Sequence, residues 1–190
     1  MMELTGKTIL FLGSSVTYGS ASGGVSFADI MCKQLGANCI KEAVSGTTLA
    51  DIDEESYVAR LKKVDTNTKV DLLICQLSTN DANSTRIKDP AQTEDAIRFI
   101  LEYGKKTFRC PIAFYTGTYF ESEKYKAMIE LLYRLQKEYD FAILDLYHDE
   151  EMRSVSKEQY AEYMSDHVHP TLLGYEQWWT PKFLAFCRQL

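Results

Sequence analysis

Four short segments collect residue types that together could carry out acyl transfer. Gly13-Ser14-Ser15-Val16-Thr17 presents two adjacent hydroxyls. Ser45-Gly46-Thr47-Thr48 sets a glycine among hydroxyls. Ser78-Thr79-Asn80-Asp81 places a carboxamide beside a carboxylate. Asp166-His167-Val168-His169-Pro170 supplies two imidazoles, with a carboxylate three residues before the second. A serine hydroxyl is a poor nucleophile at neutral pH and needs an adjacent base, and histidine is suited to that work. If Asp166 to His169 forms one helical turn, residues i and i+3 share a face. The carboxylate then holds Nδ1–H and turns Nε2 toward the serine. Each segment taken alone also reads as an ordinary turn, and Asp166, His167 and His169 also fit a metal-ligand reading. The joint placement of the segments has to decide.

That placement depends on the elements between them. Lys7 to Leu12 is a short apolar run, and Ser26 to Leu35 reads as a helix capped by Ser26, with Asp29 three residues on and Gly36 as its stop. Asn38 to Val44 is a second strand. Leu49 to Val64 reads as a helix, acidic early and basic late. Val70 to Leu77 is a buried strand, Pro90 to Thr107 a helix, Pro111 to Tyr115 a strand, Glu123 to Glu138 a helix and Phe141 to Leu146 a strand. A short helix follows at Lys157 to Met164. The last helix, Thr171 to Gln189, should be kinked or split by Pro181. Strands alternating with helices predict an α/β fold: a three-layer α/β/α sandwich, flavodoxin-like, with a parallel sheet of about five strands, in one domain over 1–190. Ligands bind such sheets at the carboxyl ends of the strands. The first three segments follow strands one to three, so they share that edge.

Other loop chemistries fit poorly. Gly13 to Ser20 lacks the Gly-Lys-Ser/Thr ending of a phosphate loop. No G-x-G-x-x-G fingerprint is present, and Thr17 stands where a G-x-S-x-G elbow needs its second glycine.

Together the four segments resemble the SGNH/GDSL hydrolase family over nearly the whole chain. Gly13-Ser14-Ser15-Val16-Thr17 resembles the family's Gly-Asp-Ser-Leu/Ile-Thr block, which implies Ser15 as nucleophile. Gly46 matches the oxyanion-hole glycine after strand two. Ser78-Thr79-Asn80-Asp81 resembles Gly-x-Asn-Asp, with Asn80 as an oxyanion-hole side chain, and Asp166 to Pro170 resembles Asp-x-x-His-Pro. The resemblance thus implies a Ser15–His169–Asp166 triad. The implied oxyanion hole consists of the Ser15 and Gly46 backbone N–H groups and the Asn80 amide. Asp81 is expected to anchor its loop, and His167 is expected to be non-catalytic. Ser14 stands where the family has Asp, and Ser78 where it has Gly.

The remaining features bound the function. At 190 residues the chain can bury roughly 70% of its unfolded surface, so it needs no metal or disulfide for its core. A net charge of -6 with scattered lysines argues against nucleic acid. Five cysteines without a C-x-x-C pair suggest neither a disulfide framework nor a zinc knuckle. No segment reads as a signal peptide or membrane span, which makes the cytoplasm the expected location. The expectation is a serine esterase that needs no cofactor or metal and acts on a small-molecule ester, with a carbohydrate O-acetyl group as the leading substrate. A lysophospholipase or thioesterase, a catalytically silent binding module and a metal-dependent phosphoesterase are the alternatives.

Overall fold

The computed structural model describes residues 3–190. Its five strands are β1 (Thr8–Gly13), β2 (Asn38–Ala43), β3 (Leu72–Gln76), β4 (Ile112–Tyr115) and β5 (Ala142–Leu144). They form one all-parallel sheet in the order β2-β1-β3-β4-β5. Alternate residues of each strand face opposite layers, as the pleat requires. Leu10 and Leu12 enter the core on one face, with Tyr57, Ile97, Ile100 and Leu132. Ile9 and Phe11 enter the other, with Phe27, Tyr175, Trp179 and Phe183. The helices on the first face are α3 (Tyr57–Lys63), α5 (Ala91–Thr107) and α6 (Glu123–Gln136). Those on the second are α2 (Phe27–Leu35) and α10 (Thr180–Cys187). The expected three-layer α/β architecture is present.

Short helices follow the strands at the working edge: α1 (Ser15–Tyr18) after β1, α4 (Thr79–Asn83) after β3, and α7 (Glu150–Arg153) after β5. None of the three was expected from the sequence. Two further helices, α8 (Lys157–Tyr163) and α9 (Leu172–Gly174), bracket the Asp166–Pro170 segment. The α2 helix has the start and stop that its sequence announces. Ser26 and Asp29 form a capping box, and Gly36 closes the helix at a φ of 64°.

Three expectations need correction. Residues 49–56 are not helical, and α3 begins at Tyr57. The early acidic residues compete with the helix for backbone donors. Asp53 takes the Glu55 amide at 3.0 Å, Asp51 takes the Ser56 hydroxyl at 2.6 Å, and Ser56 in turn caps α3. The Asp166 to His169 segment is a bend, not a helical turn. It is closed by an antiparallel bridge between Met164 and Pro170 and by the Ser165 amide on the His169 carbonyl, at 2.9 Å. The last helix is split, as Pro181 foretold, but by a widened π-helical turn at Tyr175–Trp179 that precedes the proline. Proline lacks an N–H and its ring clashes with the carbonyl four residues back. The wider turn gives that ring room.

Among the described residues no helix is long and apolar enough to cross a membrane.

Candidate active site

Ser15 is the first residue of α1, immediately beyond β1. The turn that presents it tolerates no side chain at Gly13, because a Cβ there would lie 1.8 Å from Thr17 Oγ1. A buried glutamine from β3 organises the turn. Gln76 Oε1 accepts the Ser14 amide at 3.0 Å and the Thr17 hydroxyl at 2.9 Å, and Thr17 Oγ1 is also 2.6 Å from the Tyr115 hydroxyl. The carbonyls of α1 are held as well, Val16 by the Tyr175 hydroxyl at 2.6 Å and Thr17 by the Ser26 hydroxyl at 2.7 Å. Ser14 is fully buried in this network, whereas Ser15 keeps a small exposure of 7%. The geometry therefore leaves Ser15 as the hydroxyl with access.

His169 reaches Ser15 from 154 residues away, with Nε2 2.8 Å from Ser15 Oγ. Its Nδ1 is 2.8 Å from Asp166 Oδ2, and Asp166 Oδ1 accepts the His169 amide at 2.8 Å and the Val168 amide at 2.7 Å. Burial alone would raise the Asp166 pKa. The bond to the His169 ring and the two amides outweigh it and hold the carboxyl below the usual range. The bend around this carboxylate thus aligns the imidazole that a helical turn was expected to align.

The three expected oxyanion donors lie at neighbouring strand ends. Among the described residues, no hydrogen-bond acceptor engages the amide of Ser15 or of Gly46. Gly46 has a φ of 79°, in the left-handed region that favours glycine, and the space where a Cβ would sit is open. Asn80 lies in α4, and its Nδ2 donates to the Thr47 carbonyl at 2.7 Å, which fixes the carboxamide against the Gly46 loop. Ser78, the departure from the family glycine, caps α4 by accepting the Asp81 amide at 3.3 Å. Asp81 behaves as the expected anchor. It accepts the Leu49 amide at 2.7 Å, the Ala50 amide at 3.0 Å and the Thr93 hydroxyl at 2.8 Å. Its burial raises the carboxyl pKa despite those bonds.

Sequence reasoning missed Arg60. This side chain, only 4% exposed, has no carboxylate partner among the described residues. Its guanidinium donates instead to the carbonyls of Glu42 at the end of β2, Gly13 at the end of β1 (2.7 Å) and Glu55 (3.0 Å), and to Thr47 Oγ1 (3.2 Å). Burial lowers its pKa. Gln76 was also missed, reading as one polar residue in an apolar strand.

His167 stays outside the hydrogen-bonded chain, its ring 6.0 Å from that of Phe120. Asp166 is committed to His169, and among the described residues no group of three or more metal-ligating side chains is assembled.

The arrangement offers a hydroxyl with an oriented imidazole and, alongside, free N–H groups that could receive a developing negative charge. Structural comparison finds the same fold in a protein from Lactobacillus plantarum, 19% identical, with a TM-score of 0.78 and 98% of each chain covered. Family two carbohydrate esterases also share it. The enzyme from Cellvibrio japonicus is 18% identical, with a TM-score of 0.73 over 98% of this chain and 62% of its own. The Clostridium thermocellum enzyme, in complex with cellohexaose, is 16% identical, with a TM-score of 0.69 over 99% of this chain and 65% of its own. This chain therefore spans under two thirds of the length of those two esterases. No curated protein matches the sequence significantly. The sequence pattern of one family, GDSL-like lipase/acylhydrolase, matches residues 11–177. That match covers most of the chain, and the chain belongs to the GDSL-like lipase/acylhydrolase family.

Proposed function

We propose that the protein is a serine esterase that removes a short acyl group, acetyl first among them, from a carbohydrate or similar small polar alcohol. The observation that carries this reading is the 2.8 Å contact between Ser15 Oγ and His169 Nε2, with Asp166 on the opposite ring nitrogen. His169 takes the Ser15 proton as Oγ attacks the ester carbonyl. The tetrahedral oxyanion is received by the Ser15 and Gly46 amides and by the Asn80 Nδ2 hydrogen that does not bond Thr47. His169 then returns the proton to the departing alkoxide, leaving an acyl-serine. A water molecule, deprotonated by the same imidazole, attacks that ester and releases the carboxylic acid and free Ser15. No cofactor or metal enters these steps.

The carbohydrate part of the reading draws on the two carbohydrate esterases that share the fold. One observation favours a longer acyl chain instead. A cavity of about 490 Å³ beyond Asp81, between α5 and α6, has apolar walls that include Ile87, Met128 and Leu131.

Hydrolysis rates on p-nitrophenyl esters from acetate to laurate, together with acetate release from acetylated xylan, separate these readings. The short-acyl reading expects the highest kcat/KM at acetate and acetate release from the glycan. A maximum at eight or more carbons would transfer the assignment to a lysophospholipase or thioesterase. No turnover of any ester would point to a binding module.

A further inference from the structure

A second cavity, of about 360 Å³, opens between the segment after β4, α7, α8 and the π-helical turn. The chain carries a net charge of -6, yet two cations line this cavity, Arg153 and Lys157. Among the described residues neither has a carboxylate within ion-pair distance. Two nearby carboxylates, Asp149 and Glu151, are taken by Lys182, at 2.8 and 2.7 Å. The Arg153 guanidinium is held 4.3 Å over the Tyr119 ring. A guanidinium stacked in that way keeps its in-plane N–H donors free for a planar or tetrahedral anion.

The other walls are aromatic. Trp178 lines the cavity and is flanked by Tyr163, stacked at 5.5 Å, and by Tyr160, edge-on at 6.2 Å. Such faces pack against the C–H faces of a sugar ring. Two polar groups complete the lining. The Thr118 hydroxyl and the Trp178 indole N–H are buried, and among the described residues neither has a hydrogen-bond partner. Both residues are more than nine-tenths buried. A buried polar group without a partner is costly, and a small shift of Trp178 or Thr118 toward the cavity would let a ligand hydroxyl relieve it.

Neighbours of the cavity's lining residues reach the Asp166–Pro170 segment. Phe120, next to Tyr119, packs on His167. The carbonyl of Tyr163, which stacks on Trp178, accepts the Thr171 amide that closes the loop holding His169.

We infer that this cavity is a subsite for an anionic sugar ring, bearing a carboxylate or a phosphate, that takes part of the substrate or product next to the reacting ester. The anion lies between Arg153 and Lys157, and the ring lies against Trp178. This deepens the carbohydrate reading above and rests on it.

Binding is tested on Ser15→Ala protein, so that no turnover is required. The chain has two tryptophans; Trp179 is fully buried and Trp178 lines the cavity, which makes indole fluorescence a local reporter. Glucuronate and glucose 6-phosphate are titrated as the two probes, with glucose and sodium acetate as controls. The expected result is saturable fluorescence change with one or both anionic sugars. Glucose and acetate should each bind about tenfold or more weaker, and Arg153→Gln and Lys157→Gln should each weaken the anionic sugar about tenfold. Which probe binds tells carboxylate from phosphate. Both cations are on exposed helix positions, and circular dichroism checks that each variant is folded. Equal binding of glucose, equal binding of acetate, no response to either anionic sugar, or unchanged binding in both variants would overturn the subsite. Loss of esterase activity in the wild type would instead remove the hydrolase reading, and the two failures are read in separate assays.

Discussion

The Arg60 guanidinium donates to the carbonyl of Gly13 at 2.7 Å, across 47 positions of sequence. The same nitrogen also donates to the hydroxyl of Thr47, whose carbonyl receives Asn80, and the other terminal nitrogen holds the carbonyl of Glu42 near the neighbouring strand end. Each of the three proposed oxyanion donors is thus within two residues of, or one hydrogen bond from, a residue that this single cation holds. Its charge also adds a favourable field at a site where negative charge would develop.

Arg60→Met keeps much of the volume and removes both the donors and the charge. We expect kcat to fall about 10- to 100-fold with KM changed less than about threefold, the pattern of an interaction that matters chiefly in the transition state. Arg60→Lys should recover part of the loss. Steady-state kinetics beside thermal melts make the check. A lower melting temperature with kcat intact would reduce Arg60 to a scaffold residue.

Asp166 and His169 should not be equivalent. In the proposed mechanism the imidazole moves the proton, whereas the carboxylate, with 48% of its side chain exposed, orients it and is partly replaceable by water. His169→Ala should cost on the order of 10⁵-fold in kcat and Asp166→Asn on the order of 10³-fold. Equal losses in the two variants would contradict that division of work.

How far this site is legible in the sequence varies residue by residue. The Ser26 and Asp29 capping box and the Gly36 stop are local, set by neighbours within one helix, and the sequence announces all three. The strand ends follow from the apolar runs, so Ser15, Gly46 and Asn80 land on one edge of the sheet as expected. Arg60 and Gln76 act at sequence separations of 47 and 62. In the sequence Arg60 looks like a basic residue in the last turn of an exposed helix, and only the docking of α3 beneath β1 and β2 buries it. Residues 49–56 departed for two reasons, the local competition by Asp51 and Asp53 and a distant one, since Asp81, 32 residues away, takes the Leu49 amide.

A second aspartate–histidine pair has the same three-residue spacing, and we expect it to contribute to acid sensitivity. Asp145 Oδ2 accepts the Tyr133 hydroxyl at 2.7 Å and lies 2.8 Å from His148 Nδ1, while Oδ1 accepts the Thr116 hydroxyl at 3.2 Å. Burial would raise its pKa, but the His148 ring and the Tyr133 hydroxyl hold it below the usual value. A depressed carboxyl stabilises the fold above its unfolded value, about 3.9. That stability fades as pH falls through about 4 and below. Melting temperature from pH 7 to pH 3 should therefore drop more for wild type than for Asp145→Asn, which starts lower. Parallel curves would exclude Asp145 as a source of the acid sensitivity.

The cysteines should be bystanders. Burial pushes the Cys110 and Cys187 thiols up to about 11 and Cys75 well above its usual value. Cys39 alone is exposed, and a hydrogen bond from Cys32 lowers its pKa. Iodoacetamide at pH 7.5 should label Cys39 first and leave esterase activity unchanged. Inactivation in step with a single alkylation would argue for a thiol in the mechanism.

The most direct test of the central claim, that Ser15 is activated by His169, is intact-mass labelling with a fluorophosphonate probe, which reacts with activated serines whatever the natural substrate. Wild type should gain one adduct, located at Ser15 by peptide mapping, and Ser15→Ala and His169→Ala should gain none. A well-folded wild type that takes up no probe, or a Ser15→Ala variant that still does, would contradict the account.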